Sequence, residues 1–162
     1  MKKIYYNDGV LEPDRIEDKL HRIGMETELV PIPIDIETMM DVTDSFCALS
    51  ADVLDELRLA GQPLGGVLLS CDPNHRLVSL VAKIAPHAAW GASVGMLAAY
   101  WIPDNHVLVM HETMHLFGVD DCYGSCGFDG CLMQYVPTPN SVAPWPECLC
   151  ARTKKQLKGV RI

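Results

Sequence analysis

No apolar run in this chain approaches the roughly 18 residues that suggest a membrane span, although hydrophobic residues make up 49% of its 162 positions. The apolar content is therefore core material, and a membrane is not an expected partner. Cations are scarce as well: 13 Lys and Arg stand against 21 Asp and Glu, for a net charge of −8. Binding phosphates needs clustered positive charge, so a nucleic-acid role is not expected either. The one basic cluster, Arg152, Lys154, Lys155, Lys158 and Arg161, follows the last acidic residue. It suits the late turns of a C-terminal helix packed on an acidic body. Repeats and low-complexity linkers are also missing, and 162 residues is ordinary one-domain size with room for a sizeable core. At the start, Met1-Lys2-Lys3-Ile4-Tyr5-Tyr6 runs directly into Asn7-Asp8-Gly9. No apolar h-region follows, so the expected location is cytoplasmic.

What the chain does have is concentrated at 111–121, HETMHLFGVDD. His111 and His115 are four apart, one helical turn, so both rings can reach one metal ion. Glu112 is placed to act as general base to a metal-bound water. Gly118 stands where a helix can end in a left-handed residue. The chain can then turn the Asp121 carboxylate to the same metal; Asp120 is the alternative ligand, and the spacing from Gly118 favours Asp121. Upstream, Pro103-Asp104-Asn105 is a helix start, with Asp104 or Asn105 as the cap. Val107, Leu108, Met110, Met114 and Phe117 surround that helix with apolar side chains, which predicts burial everywhere except a metal-facing strip. The bland alternative is a pair of core histidines bonded to backbone carbonyls. Glu112 beside them argues for zinc, because buried polar groups need partners and an ion supplies them.

The pattern HExxHxxGxx followed by His or Asp, with a downstream methionine in a tight turn, resembles the metzincin metallopeptidases. Met133, in Cys131-Leu132-Met133-Gln134-Tyr135, is the corresponding methionine. Within that clan the chain looks most like the archaemetzincins, through Asp121-Cys122, Cys131-Leu132-Met133 and Cys148-Leu149-Cys150. The likeness covers 111–150. It departs from the family in three ways: Asp121 replaces the usual histidine, as in snapalysin-type metzincins, extra residues including Cys126 precede Cys131, and the final pair is Cys-x-Cys. The resemblance implies a catalytic Zn2+ on His111, His115 and Asp121, with the methionine turn beneath it. It also implies a second, structural zinc on Cys122, Cys131, Cys148 and Cys150, with Cys126 as an alternative ligand. Taken alone, five cysteines clustered at 122–150 equally allow disulfides or free thiols. Tyr135, two residues past the methionine, is implied to bind the resting zinc or steady the tetrahedral intermediate. Cys47 and Cys71 sit in apolar settings as buried thiols, and His21, His75, His87 and His106 stand in no ligand pattern.

Along the rest of the chain, strands are expected at 3–7, 27–34, 66–71, 88–93 and 96–101, and helices at 13–23 and 43–60; 77–84 fits either. This order is the one expected of a metzincin: an α/β (α+β) single domain with an upper subdomain at 1–118 and a lower one at 119–162. The implied sheet is five-stranded, twisted and mostly parallel, with one antiparallel edge strand within 88–93 and a backing helix and an active-site helix against it. That edge can bind a peptide by backbone hydrogen bonds. The expected activity is hydrolysis of peptide bonds in a peptide or protein substrate by a metal-activated water, with Glu112 as general base. Two alternatives differ from it: a non-catalytic zinc module that binds peptides, for which Glu112 has no evident use, and a hydrolase of non-peptide amides.

Overall fold

The computed structural model describes residues 2–32, 66–71, 78–79, 90–94, 97–102, 104–134 and 137–159. The expected helix at 43–60, nearly all of 77–84, Cys47, His75, His87, Tyr135 and Arg161 lie outside the described residues. The described elements are β1 (Lys2–Tyr6), α1 (Pro13–Arg22), β2 (Thr27–Pro31), β3 (Val67–Ser70), β4 (Gly91–Val94), β5 (Leu97–Tyr100), α2 (His106–His115) and α3 (Ala151–Lys158). None of these helices is long and apolar enough to cross a membrane.

The five strands form one mixed sheet in the order β2-β1-β3-β5-β4. All neighbours are parallel except β4 and β5, which run antiparallel with Gly91 opposite Tyr100 and Val94 opposite Leu97. The chemistry of each strand matches its place. β3 (VLLS) and β5 (LAAY) lie inside the sheet and are buried at every position, as parallel strands covered on both faces must be. Gly91 and Ser93 mark β4 as the weaker, outer strand. β2 ends at Pro31, short of the expected 34. The proline costs no bond to β1, because the amides that bond β1 are the even-numbered ones and the Ile32 amide still donates to the Tyr6 carbonyl at 2.7 Å.

α1 opens with Pro13 in its first turn and turns Ile16 and Leu20, one helical turn apart, into the core. It closes where Gly24 follows, with the Met25 amide donating to the Leu20 carbonyl at 3.0 Å. At the other end of the chain, α3 packs Thr153 and Leu157 inward. α2 lies against β5 and β4, so the sheet's antiparallel edge and the HExxH helix share one side of the molecule.

Candidate metal centre

β5 delivers the chain through a short connection to α2, and Asn105 fixes where that helix begins. Its side-chain oxygen accepts from the Leu108 amide at 3.1 Å while its amide donates to the Pro137 carbonyl at 2.9 Å. The cap is thus Asn105 and not Asp104, and the same side chain ties the helix start to the lower segment. From Leu108 to Met114 every residue of α2 is buried. The helix ends in a Schellman closure: Gly118 takes φ +78, its amide meets the His115 carbonyl at 3.0 Å, and the Val119 amide meets that of Met114 at 3.3 Å. Only a residue without Cβ adopts this conformation cheaply. The closure reverses the chain and carries Asp121 back to the helix face it has just left.

There His111, His115 and Asp121 bring their ligand atoms within 4.8 Å of one another. Each imidazole is held by its Nδ1: His111 on the Leu132 carbonyl at 2.9 Å, His115 on that of Val119 at 2.7 Å. A carbonyl can only accept, so each Nδ1 carries a proton, and in the neutral ring each Nε2 keeps a lone pair. Both Nε2 atoms then face the same oxygen, Asp121 Oδ1, at 3.1 and 3.3 Å. That oxygen is buried and accepts no hydrogen bond. With both rings neutral, three lone-pair donors converge and repel, and a shared proton or a bound cation relieves that repulsion. Burial alone pushes the Asp121 carboxyl up, yet the facing imidazoles outweigh it and hold it well below the usual carboxylate range. Burial lowers His115, but Asp121, Glu112 and the Val119 carbonyl outweigh it and raise the ring. The cluster therefore favours positive charge at its centre, and the donor set of two imidazoles and one carboxylate fits a divalent metal ion.

Asp120 is turned elsewhere. Its Oδ2 accepts from Gln156 Nε2 at 2.9 Å and stands 3.8 Å from Arg152 Nη2. Arg152 also reaches the Asp121 carbonyl at 3.3 Å, so one member of the basic tail does pair with an acidic neighbour on the loop.

Glu112 is 3% exposed, and burial pushes its carboxyl up to about 7 against the lowering effect of His111 and His115. Its Oε2 is buried without a hydrogen-bond partner. The carboxyl lies against the edge strand so closely that a Cβ on Gly91 would stand 2.5 Å from Glu112 Oε1 and 2.8 Å from the Ala99 carbonyl. Glycine at 91 is thus what lets Glu112 occupy its place. We predict that Gly91→Ala destabilises the protein by about 1–3 kcal/mol, the usual cost of overpacking. The cost should shrink in a Glu112→Ala background, measured by denaturant unfolding in a double-mutant cycle. Equal costs in both backgrounds would mean that the alanine methyl meets only the backbone.

A second cluster lies one residue beyond Asp121. Cys122, Cys126, Cys131 and Cys150 bring their sulfur atoms within 4.8 Å of one another. All four are free thiols. The set corrects the expected one, because Cys126 takes the fourth position and Cys148 does not join. Cys148 is buried elsewhere, beside Lys19, Met110, Leu132 and Trp145. The physical reason is local: Cys150 caps α3, its sulfur accepting from the Thr153 amide at 3.4 Å. That cap fixes Cys150 toward the loop, while Cys148 contributes its backbone, accepting from the Leu132 amide at 2.9 Å. Cys126 is brought in by the turn that Ser125 closes on the Cys122 carbonyl. Burial pushes the Cys122 thiol up to about 11 and raises Cys131 too. At Cys150 the hydroxyl and amide of Thr153 outweigh burial and bring it down to about 7. Four thiols this close can likewise hold a metal ion.

The segment Cys131-Leu132-Met133 touches both clusters. The Leu132 carbonyl orients His111, the Met133 amide donates to Cys131 Sγ at 3.4 Å, and the Met133 carbonyl accepts from the Cys122 amide at 2.9 Å. Met133 itself is fully buried.

No family model, curated protein or solved structure matches this chain. Any functional reading therefore rests on the residues and their geometry. Several residues in that geometry were not singled out by the sequence. Gly91 is one. Tyr123, whose hydroxyl donates to Asp121 Oδ2 at 2.9 Å, is another; its only sequence signal is its place two residues after the carboxylate. The carbonyls of Val119 and Leu132 carry no side-chain signal at all.

Proposed function

We propose that this protein is a zinc-dependent peptidase of metzincin type, most like the archaemetzincins, with His111, His115 and Asp121 holding the catalytic zinc. The observation that carries this reading is Asp121 Oδ1, a buried carboxylate oxygen without a hydrogen bond, faced by two imidazole Nε2 atoms whose Nδ1 atoms are already committed. When bound, zinc supplies a Lewis acid that polarises a carbonyl and acidifies water. The chain supplies the rest. Glu112, directly after the first ligand, takes a proton from the attacking water and returns it to the leaving amine. β4, the outer strand beside Glu112, offers an extended peptide a backbone edge on which to lie. Asp121 in place of a third histidine would add negative charge beside a bound ion and make it a weaker Lewis acid than one in a three-histidine site.

The thiol cluster is read as a structural zinc site on Cys122, Cys126, Cys131 and Cys150. Tetrahedral ligation at the ~2.3 Å of zinc–thiolate bonds separates sulfur atoms by roughly 3.8 Å, and Cys122 Sγ and Cys150 Sγ already stand 3.6 Å apart. The described residues between α2 and α3 form neither helix nor strand. Ordering such a loop costs about 1–2 kcal/mol per residue, and a structural zinc, worth about 10–16 kcal/mol in small domains, offsets part of that. A non-catalytic zinc module would share both metal sites, but it has no use for a carboxyl buried at a desolvation cost beside the first ligand.

Elemental analysis of purified protein should find two zinc ions per chain, and an anomalous map should place one on each cluster. A peptide-library digestion should yield cleaved products that vanish on chelation. Zinc at the cysteines alone, with no cleavage by fully loaded protein, would sink the peptidase reading.

A further inference from the structure

Asp121 presents its two carboxylate oxygens to different neighbours. Oδ1 faces His111 and His115, whereas Oδ2 accepts from the Tyr123 hydroxyl at 2.9 Å. We infer that Tyr123 is a positioning residue of the metal centre, holding Asp121 as a one-oxygen ligand by keeping its second oxygen occupied.

The backbone supports this assignment. Tyr123 has φ +46, in the left-handed region that a bulky side chain resists, and the conformation is held by its surroundings. The Cys122 amide is fixed on the Met133 carbonyl at 2.9 Å, and the Ser125 amide closes on the Cys122 carbonyl at 2.8 Å. Arg152 Nη1 spans the Asp121 carbonyl at 3.3 Å and Ser125 Oγ at 3.2 Å. A left-handed residue turns the chain back on itself, and here it returns the phenol to a carboxylate two residues earlier. The ring is not there for the core, since Tyr123 is 60% exposed. Partners that orient a metal ligand typically change affinity 10–100-fold when removed. Without the phenol, Oδ2 is free to swing toward the ion as a second donor from the same residue, which raises the coordination number and takes a place that water or substrate would use.

The inference rests on the reading of His111, His115 and Asp121 as a metal centre, and the test separates the two. Full-length wild type, Tyr123→Phe and His111→Ala are each titrated with Co2+, with a chelator as competitor, and followed by absorption. Thiolate-to-cobalt bands report the cysteine cluster and serve as an internal control. Weak visible bands report the nitrogen–oxygen site and its coordination number. Tyr123→Phe keeps the ring and the left-handed turn and removes only the hydroxyl. The expected result is cobalt affinity at the His/Asp site lowered roughly tenfold to hundredfold, with weaker visible bands and unchanged thiolate bands. Unchanged affinity and unchanged visible bands in Tyr123→Phe, alongside their loss in His111→Ala, would overturn the role of Tyr123 and leave the metal centre standing. Visible bands missing from wild type, or surviving in His111→Ala, would overturn the centre itself and this inference with it.

Discussion

Glu112→Gln should lower peptide hydrolysis by at least roughly a hundredfold, the low end of what a positioned general base contributes, while zinc content stays at its wild-type value. The separation of the two readouts follows from geometry. Glu112 is not a member of the His111–His115–Asp121 group, so losing its charge removes no ligand. Glutamine has the same shape, so it keeps the tight fit against Gly91, where Glu112 Oε1 occupies the space a Cβ would need. Alanine would confuse the result by leaving a hole in a buried position. Glutamine also lifts the desolvation that raises the carboxyl to about 7, so the variant should be at least as stable to denaturant as wild type. Single-turnover kinetics on a responsive peptide and metal analysis of the same preparation decide the matter. Equal rates for the two proteins would remove Glu112 from the mechanism.

Cys126→Ser should release one zinc ion per chain, and Cys148→Ser should release none. Both are cysteines of the same loop region, and the expected set from sequence contained the second and held the first in reserve. Only Cys126 stands with Cys122, Cys131 and Cys150. Replacing one of four thiolates opens a closed site, and binding there is coupled to folding of the loop. Amide exchange should therefore accelerate across 119–134 in Cys126→Ser and stay slow in Cys148→Ser. The loop also carries Asp121, and Met133 joins it to Cys131 and Cys122, so the first variant should weaken metal binding at His111, His115 and Asp121 as well. Disulfides give a different pattern: zinc stoichiometry indifferent to every cysteine variant, and a gain of about 2 Da per bridge on reduction. Loss of zinc from Cys148→Ser with retention in Cys126→Ser would reverse the ligand assignment.

The burial of His111 and Glu112 was not legible in the sequence. The helix carrying them and His115, the burial of Leu108, Met110 and Met114 on it, its glycine stop and the approach of Asp121 to the two histidines all were. So were the mixed five-stranded sheet and its antiparallel edge, found at Gly91–Val94 against the expected 88–93. These features depend on neighbours within a turn or on strand patterning, where spacing fixes which side chains share a face. The cysteine set was legible only as a cluster. Cys126, Cys148 and Cys150 have the same chemistry, and their selection depends on how a loop without regular structure folds back on α3.

By itself, the sequence determined the donor types, the i and i+4 spacing that aligns two imidazoles, and the glycine that lets the chain return. Those are consequences of helix geometry and of one residue's freedom at positive φ. Only the tertiary structure decided which nitrogen of each histidine points at the centre, because the Leu132 and Val119 carbonyls that fix it arrive from the loop. It also decided that Cys126 joins the thiols, that Tyr123 holds Asp121, and that position 91 must lack a side chain. Each of these depends on close approach between segments distant along the chain or on the path of a loop, and close packing, unlike periodicity, leaves no mark on a single sequence.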